Sequence, residues 1–187
     1  MSTPPRQAGG PARAAAATGT IADRISLDAL VVVAARRLVL GVDVAAAKFL
    51  SGQPIDDHVR EREILESMAS GLKRAGPRHA PGMEFVRDQI EANKVVQRGL
   101  HRHWADHPEE FAAMRRDLTA ELRPQFDLVN RHMLLLLIGL KNAPPVRRSH
   151  IDALFDRKLR SSMALGQVPG LRRDAAGIAL RSLYRVL

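Results

Sequence analysis

Apolar residues recur at helical spacing along most of the chain and predict a series of helices separated by breaks rich in Pro and Gly. A proline-free stretch over 21–50 predicts a first helix of about 45 Å, which is long for a globular domain. Later helices are predicted over about 54–75, 83–104, a segment ending near 122, 124–140, 148–165 and 171–186. No strand pair is indicated. The predicted fold class is therefore all-α, a bundle of about six or seven helices built on the long first helix.

The composition excludes some classes of functional site but does not select a function. Of the 187 residues, 45% are hydrophobic and 26% are charged, as in a soluble globular protein. The chain contains no Cys, which excludes disulfides, thiolate metal sites and cysteine nucleophiles. Its net charge of +9 is compatible with nucleic acid, an anionic membrane surface or a small anionic ligand. The longest apolar run, 133–140, is too short to span a bilayer.

The first twenty residues differ from the rest in composition. Residues 1–20 are mostly Pro, Gly and Ala, and they are predicted to be a disordered lead. The tract at 15–17 is compatible with the remnant of a signal-peptidase site. This lead contributes no candidate chemistry.

Two cations occupy the apolar side of the first predicted helix. Arg37 and Lys48 are eleven residues apart, which places them within about 20° of the same face. Either both side chains extend to solvent, or an anion lies between them, because two buried cations would otherwise repel each other.

Further polar residues lie on the next two predicted helices. Asp57, Arg60 and Glu61 share one face, where they form either a surface ion-pair cluster or part of a site. Asn93 and Gln97 lie in an apolar stripe, where their amides need hydrogen-bond partners in the protein or in a ligand.

Arg123 directly precedes Pro124 at a predicted helix junction, from which it points either inward or to solvent. The polar residues together would suit a small dianion that also carries hydroxyl or ether oxygens. The set comprises Arg37, Lys48, Asp57, Arg60, Glu61, Asn93, Gln97 and Arg123.

The spacing of these residues resembles that of the all-helical chorismate mutases. The resemblance implies a helical core over 21–105, while 106–187 is similar to the added helical half of the exported subclass, packed on the core in the same domain. In that subclass the whole site lies within one chain. The matching pattern is Arg37-x10-Lys48-x8-Asp57-x2-Arg60-Glu61, followed by Gln89-Ile-x2-Asn93-x3-Gln97.

The resemblance implies an intramolecular isomerase that converts chorismate to prephenate in the shikimate pathway of aromatic amino acid biosynthesis, with no cofactor and no metal. Arg37, Arg60 and Arg123 would bind or support the substrate carboxylates. Lys48 and Gln97 would donate hydrogen bonds to the ether oxygen, where negative charge develops. Arg37, Lys48 and Gln97 are therefore the residues expected to be catalytic.

The resemblance also implies contacts for the remainder of the substrate. Asp57 and Glu61 would bind the ring hydroxyl, with Asn93 assisting. Some exported relatives carry Glu at position 97, which must be protonated to donate, whereas Gln97 donates at any pH. The resemblance further implies a homodimer that is periplasmic or secreted, although a cytoplasmic location fits the absence of a signal peptide.

Two alternatives come from other classes of protein. One is a mutase-like fold without activity that serves regulation or interaction. The other is a basic helical module that binds nucleic acid through Arg147, Arg148, Arg157, Lys158, Arg160, Arg172, Arg173, Arg181 and Arg185.

The histidines give no sign of a metal site. His58, His101 and His103 are interpreted as surface residues, and two histidines two positions apart on a helix are not spaced to share a metal.

Overall fold

The computed structural model describes residues 12–76, 80–111, 118–140 and 146–186, and within these ranges the regular structure is entirely helical. The predicted all-α class is therefore confirmed. Eight α-helices occur in the described ranges, six of them with seven residues or more. They are α1 (Ala12–Ser51), α2 (His58–Ala75), α3 (Ala80–Asp106), α4 (Arg123–Gly139), α5 (Arg148–Leu159), α6 (Ala164–Gln167), α7 (Leu171–Ala179) and α8 (Leu183–Val186).

Helix α1 forms the centre of the bundle and packs against α3, α4 and α5. Leu30, Ala34, Leu38 and Ala45 on this helix are completely buried. The helix begins at Ala12, within the stretch that composition assigns to the lead, because the alanines there favour helical backbone. Residues 1–11 lie outside the described ranges. None of the described helices is both long and apolar enough to cross a membrane.

Helix α2 begins at His58, four residues later than the predicted start at Pro54. Asp57 is its N-cap, and its side chain accepts a hydrogen bond from the backbone N–H of Arg60 at 3.0 Å. The preceding carbonyls of Pro54 and Ile55 accept hydrogen bonds from the Lys48 ammonium instead of entering a helix. The loop between α1 and α2 is therefore held against the end of α1.

The second half of the chain is more broken than its hydrophobic pattern predicts. In the segment of the predicted helix ending near 122, the described residues form a 3₁₀ turn at Pro108–Glu110 and a π-helical turn at Leu118–Leu122, and residues 112–117 lie outside the described ranges. The predicted helix over 148–165 ends at Leu159, and the separate short helix α6 follows it.

One hydrophobic core includes residues from both halves of the chain. Helix α5 packs on α1 and α7 packs on α3, so the later helices cover the two longest early helices. Phe155 and Ala179 are fully buried in this core, as are Leu30 and Val96 of the first half. The interior that supports α1 and α3 therefore depends on the C-terminal helices.

Candidate active site

All eight polar residues singled out from the sequence line one pocket between α1, α2, α3 and the start of α4. The pocket encloses about 640 Å³, including its open mouth. Its other lining residues are mostly apolar, and one is a further cation: Val44, Ile55, Ile64, Ile90, Lys94, Leu118 and Phe126.

Arg37 is fixed deep in the pocket by hydrogen bonds that it donates to two other helices. Its side chain is buried, with 3% of the residue exposed, so the alternative in which it extends to solvent is excluded. Nε donates to Asn130 Oδ1 at 3.1 Å, Nη1 donates to the carbonyl of Gln89 at 2.6 Å, and the guanidinium lies 5.3 Å from the Phe126 ring centroid. Burial lowers the pKa of Arg37 to about 10, which leaves it charged at neutral pH. The two bonds use two of its five N–H groups.

Lys48 is also buried, at the C-terminal end of α1. Its ammonium donates to the carbonyls of Pro54 at 2.8 Å and Ile55 at 2.9 Å, which uses two of its three N–H groups. Burial lowers the pKa of Lys48, an effect that the carboxylates of Asp57 and Glu61 oppose. An ammonium oriented in this way retains one donor for a ligand in the pocket.

Asp57 and Arg123 meet at the pocket mouth. Besides capping α2, the Asp57 carboxylate lies 3.5 Å from Arg123 Nη2. Arg123 is the first residue of α4 and follows the π-helical turn, whose last residue, Leu122, is completely buried. This buried leucine anchors the junction, and the partly exposed Arg123 faces the pocket.

Arg60 bridges the pocket and the outer surface. Nη1 donates to Glu63 at 3.0 Å, and Nη2 donates to Asp127 on α4. Burial alone would lower the pKa of Arg60, but the hydrogen bonds to Glu63 and Asp127 outweigh it and raise the pKa. The surface ion-pair interpretation thus holds for Arg60, which nevertheless lines the pocket.

The two amides of α3 are buried and bonded to each other. Asn93 Nδ2 donates to the backbone carbonyl of Arg37 at 2.9 Å, and Asn93 Oδ1 accepts a long bond of 3.4 Å from Gln97 Nε2. Gln97 Oε1 is buried and has no hydrogen-bond partner among the described residues. The interpretation in which the amides find partners within the protein therefore holds, while the ligand interpretation stays a prediction.

Glu61 is paired with Lys94, a residue that the sequence did not single out. Lys94 Nζ lies 3.1 Å from Glu61 Oε2, and 11% of the lysine side chain is exposed. Lys94 directly follows Asn93 on α3, at a position beside the apolar stripe where a lysine is normally exposed to solvent. Phe126 and Asn130 were also missed, because apart from the folded chain nothing distinguishes them from other residues of α4.

The histidines only partly follow the prediction of surface positions. His58 is exposed, as predicted, but His101 is half-buried, with Nε2 2.8 Å from the carbonyl of Ala45. His103 is also half-buried, 2.9 Å from Glu110 and stacked on His107 at a centroid distance of 4.7 Å. His101 points inward, because it packs edge-on against Phe49 in the aromatic cluster of Phe49, Trp104 and Phe111. Among the described residues, no three potential ligands come close enough to hold a metal.

No family model matches the chain, but individual proteins do. The chain is 32% identical over 115 residues to a protein of Mycolicibacterium smegmatis named secreted chorismate mutase. The match covers 62% of this chain and 63% of that protein, so the chain spans less than two thirds of the length of this curated relative.

Two solved structures have the same architecture. The chorismate mutase from Burkholderia thailandensis superposes with a TM-score of 0.63 at 30% identity, over 84% of this chain and 98% of the other. The chorismate mutase from Burkholderia phymatum superposes with a TM-score of 0.68 over 87% and 98% of the two chains. At 24% identity, this second likeness shows the fold alone.

Proposed function

The chain belongs to the chorismate mutase family, and we propose that it catalyses the rearrangement of chorismate to prephenate. The observation that carries the proposal is the buried pair Arg37 and Lys48, two cations on one face of α1 that line a single cavity. Such a pair is stable when a dianion binds between them. The names of the relatives favour this activity over nucleic-acid binding or an inactive module.

The rearrangement breaks an ether C–O bond and forms a C–C bond within one molecule, so it needs no nucleophile. The pocket would accelerate it by holding the enolpyruvyl side chain over the ring. Arg37 and Arg123 lie on α1 and at the start of α4, and they would bind the carboxylates. Arg60, which is held by Glu63 and Asp127, would bind a carboxylate or support the pocket wall.

Lys48 and Gln97 would stabilise the charge that develops on the ether oxygen. The remaining N–H of Lys48 is suited to this because two loop carbonyls already fix the ammonium. Gln97 would contribute its amide NH₂, which among the described residues makes only the long bond to Asn93. Both donors are nearly buried, where a hydrogen bond to developing charge is strongest.

Asp57 and Glu61 would accept a hydrogen bond from the ring hydroxyl, with Asn93 completing that side of the pocket. Each carboxylate already faces a cation, Arg123 or Lys94, and is therefore compatible with a dianionic substrate nearby. Both acidic groups that line the pocket are thus paired with a cation, and the pocket is lined by more basic than acidic side chains.

We further propose that the protein is exported and forms a homodimer in which each site lies within one chain. A relative whose printed name is secreted chorismate mutase supports export. The gathering of all eight predicted site residues, including Arg123 of the second half, into one pocket supports the intrachain site. The division into a core over 21–105 and an extension over 106–187 belongs to the same proposal.

The direct test is to incubate the purified protein with chorismate and to follow the mixture by proton NMR. We expect the chorismate signals to be replaced by those of prephenate alone, without added metal or cofactor. Persistence of chorismate in the presence of folded protein would refute the proposed activity.

A further inference from the structure

Lys94 is the pocket residue with the most acidic surroundings in the described structure. Its ammonium lies 2.7 Å from Glu91, 3.1 Å from Glu61 and 3.6 Å from Asp56. Burial alone would lower the pKa of Lys94, but hydrogen bonds to Glu91 and Glu61 outweigh it and raise the pKa. The side chain is therefore a fixed cation at neutral pH, and only 11% of it is exposed.

The three carboxylates around Lys94 differ in their relation to the pocket. Glu91 is three residues away on the same helix and half exposed, as in an ordinary helix-surface pair. Glu61 lies on α2, lines the pocket, and has a side chain that is 22% exposed. The Lys94–Glu61 pair therefore joins α3 to the pocket face of α2.

Lys94 also contacts the loop that the Lys48 ammonium holds. It lies 3.6 Å from Asp56, and one turn later Arg98 donates to both oxygens of Asp56 at 2.7 and 2.9 Å. Hydrogen bonding to Arg98 lowers the pKa of Asp56, which keeps this carboxylate charged. Two cations of α3 thus hold Asp56 in the loop that precedes α2.

Glu61 would be unfavourable in this pocket without a cation beside it. A partly buried carboxylate that loses its partner retains its desolvation penalty and also repels a dianionic ligand. The charge of Lys48 also acts on Glu61, but its ammonium is hydrogen-bonded to the loop carbonyls and no hydrogen bond joins it to Glu61 among the described residues. The pairing of Glu61 therefore depends on Lys94.

We propose that Lys94 is a positioning residue: its ammonium orients Glu61 for the hydroxyl of the ligand and cancels the repulsion between Glu61 and the carboxylates of the ligand. This inference rests on the proposed function for the identity of the ligand. Lys94 acts through Glu61 and is not itself required to touch the substrate.

A double-mutant cycle tests this dependence. Lys94→Met should lower kcat/KM for chorismate by about 10- to 100-fold, because a charged hydrogen bond is lost and a carboxylate is left unpaired. In a Glu61→Gln background the same change should cost less than about threefold, because a neutral amide needs no cation. Lys94→Arg should restore most of the activity. A residue that served only the general stability of α3 would not show this dependence on Glu61.

A control variant, a folding check and a replacement variant distinguish a positioning role of Lys94 from a loss of stability. Arg102→Met removes an exposed cation from the same helix and should leave kcat/KM unchanged. Thermal unfolding establishes that each variant is folded, and Lys94→Gln replaces Lys94→Met in both backgrounds if the latter does not fold. An equal loss in both backgrounds would overturn the positioning role.

The cycle is repeated with chorismate affinity measured by calorimetry, which does not require turnover. If the wild-type protein binds chorismate without converting it, the proposed activity fails while the affinities still decide the role of Lys94. A coupling in affinity between positions 61 and 94 would support it, and equal losses in both backgrounds would overturn it. Absence of any chorismate binding by the wild-type protein would overturn both.

Discussion

The side chain of Asn93 lies directly against Gly41, so that a Cβ atom on Gly41 would fall 2.3 Å from Asn93 Oδ1. From this position Asn93 Nδ2 donates to the carbonyl of Arg37, one turn earlier on α1. Its Oδ1 is also the acceptor for Gln97. The missing side chain at position 41 thus allows α1 and α3 to bring Arg37 and Gln97 into one pocket.

Gly41→Ala should reduce activity because the new methyl group displaces Asn93 and breaks its bond to Arg37. We expect kcat/KM for chorismate to fall by at least about tenfold and the free energy of unfolding to fall by about 1–3 kcal/mol. Steady-state kinetics and chemical denaturation measure the two effects.

Gly177→Ala is the matched control, because a Cβ there meets no atom within 4 Å and the residue also lies in a helix. It should raise stability by up to about 1 kcal/mol and leave the kinetics unchanged. Wild-type kinetics in Gly41→Ala would show that the contact with Asn93 has no part in the site.

Asp127→Asn should strengthen substrate binding. Asp127 holds Nη2 of Arg60, and a carboxylate that engages this guanidinium competes with a carboxylate of the substrate. The expected result is a KM lower by about two- to fivefold, with little change in stability, because Asp127 is exposed. Asp156→Asn removes an equal charge from an exposed pair on α5 and should not change KM. An increase in KM for Asp127→Asn would mean that Asp127 supports Arg60 instead of competing for it.

The pH dependence should depend on the residue at position 97. With Gln97 the amide donates in every protonation state, so activity should be nearly flat from about pH 5 to 8. In Gln97→Glu the side chain donates only while protonated, so activity should fall as the pH rises through this range. Measuring kcat/KM against pH for both proteins checks the assignment, which a steep loss in the wild-type protein at higher pH would contradict.

The sequence predicts which residues line the pocket better than it predicts their hydrogen-bond partners. Arg37 and Lys48 were identifiable because two cations at an eleven-residue spacing on an apolar face are conspicuous. Their partners were not, because Asn130 and the carbonyl of Gln89 reach Arg37 only through tertiary packing. The local pattern predicts the start of α2 too early for the same reason, since it does not contain the hydrogen bonds from Lys48 that hold the preceding loop.

The same limit explains the omission of Lys94. Lys94 was indistinguishable from a solvated lysine until α2 placed Glu61 beside it. Features set by helical periodicity were predictable, and features set by contacts between helices were not.

The turnover of chorismate by the wild-type protein beside Lys48→Ala tests the central claim most directly, with Lys73→Ala as the control at an exposed lysine of α2. The wild-type and control proteins should convert chorismate at the same rate. Folded Lys48→Ala should be slower by about 10²–10³-fold in kcat, the loss expected for a donor directed at developing charge. Turnover by Lys48→Ala at the wild-type rate would contradict the account of this pocket.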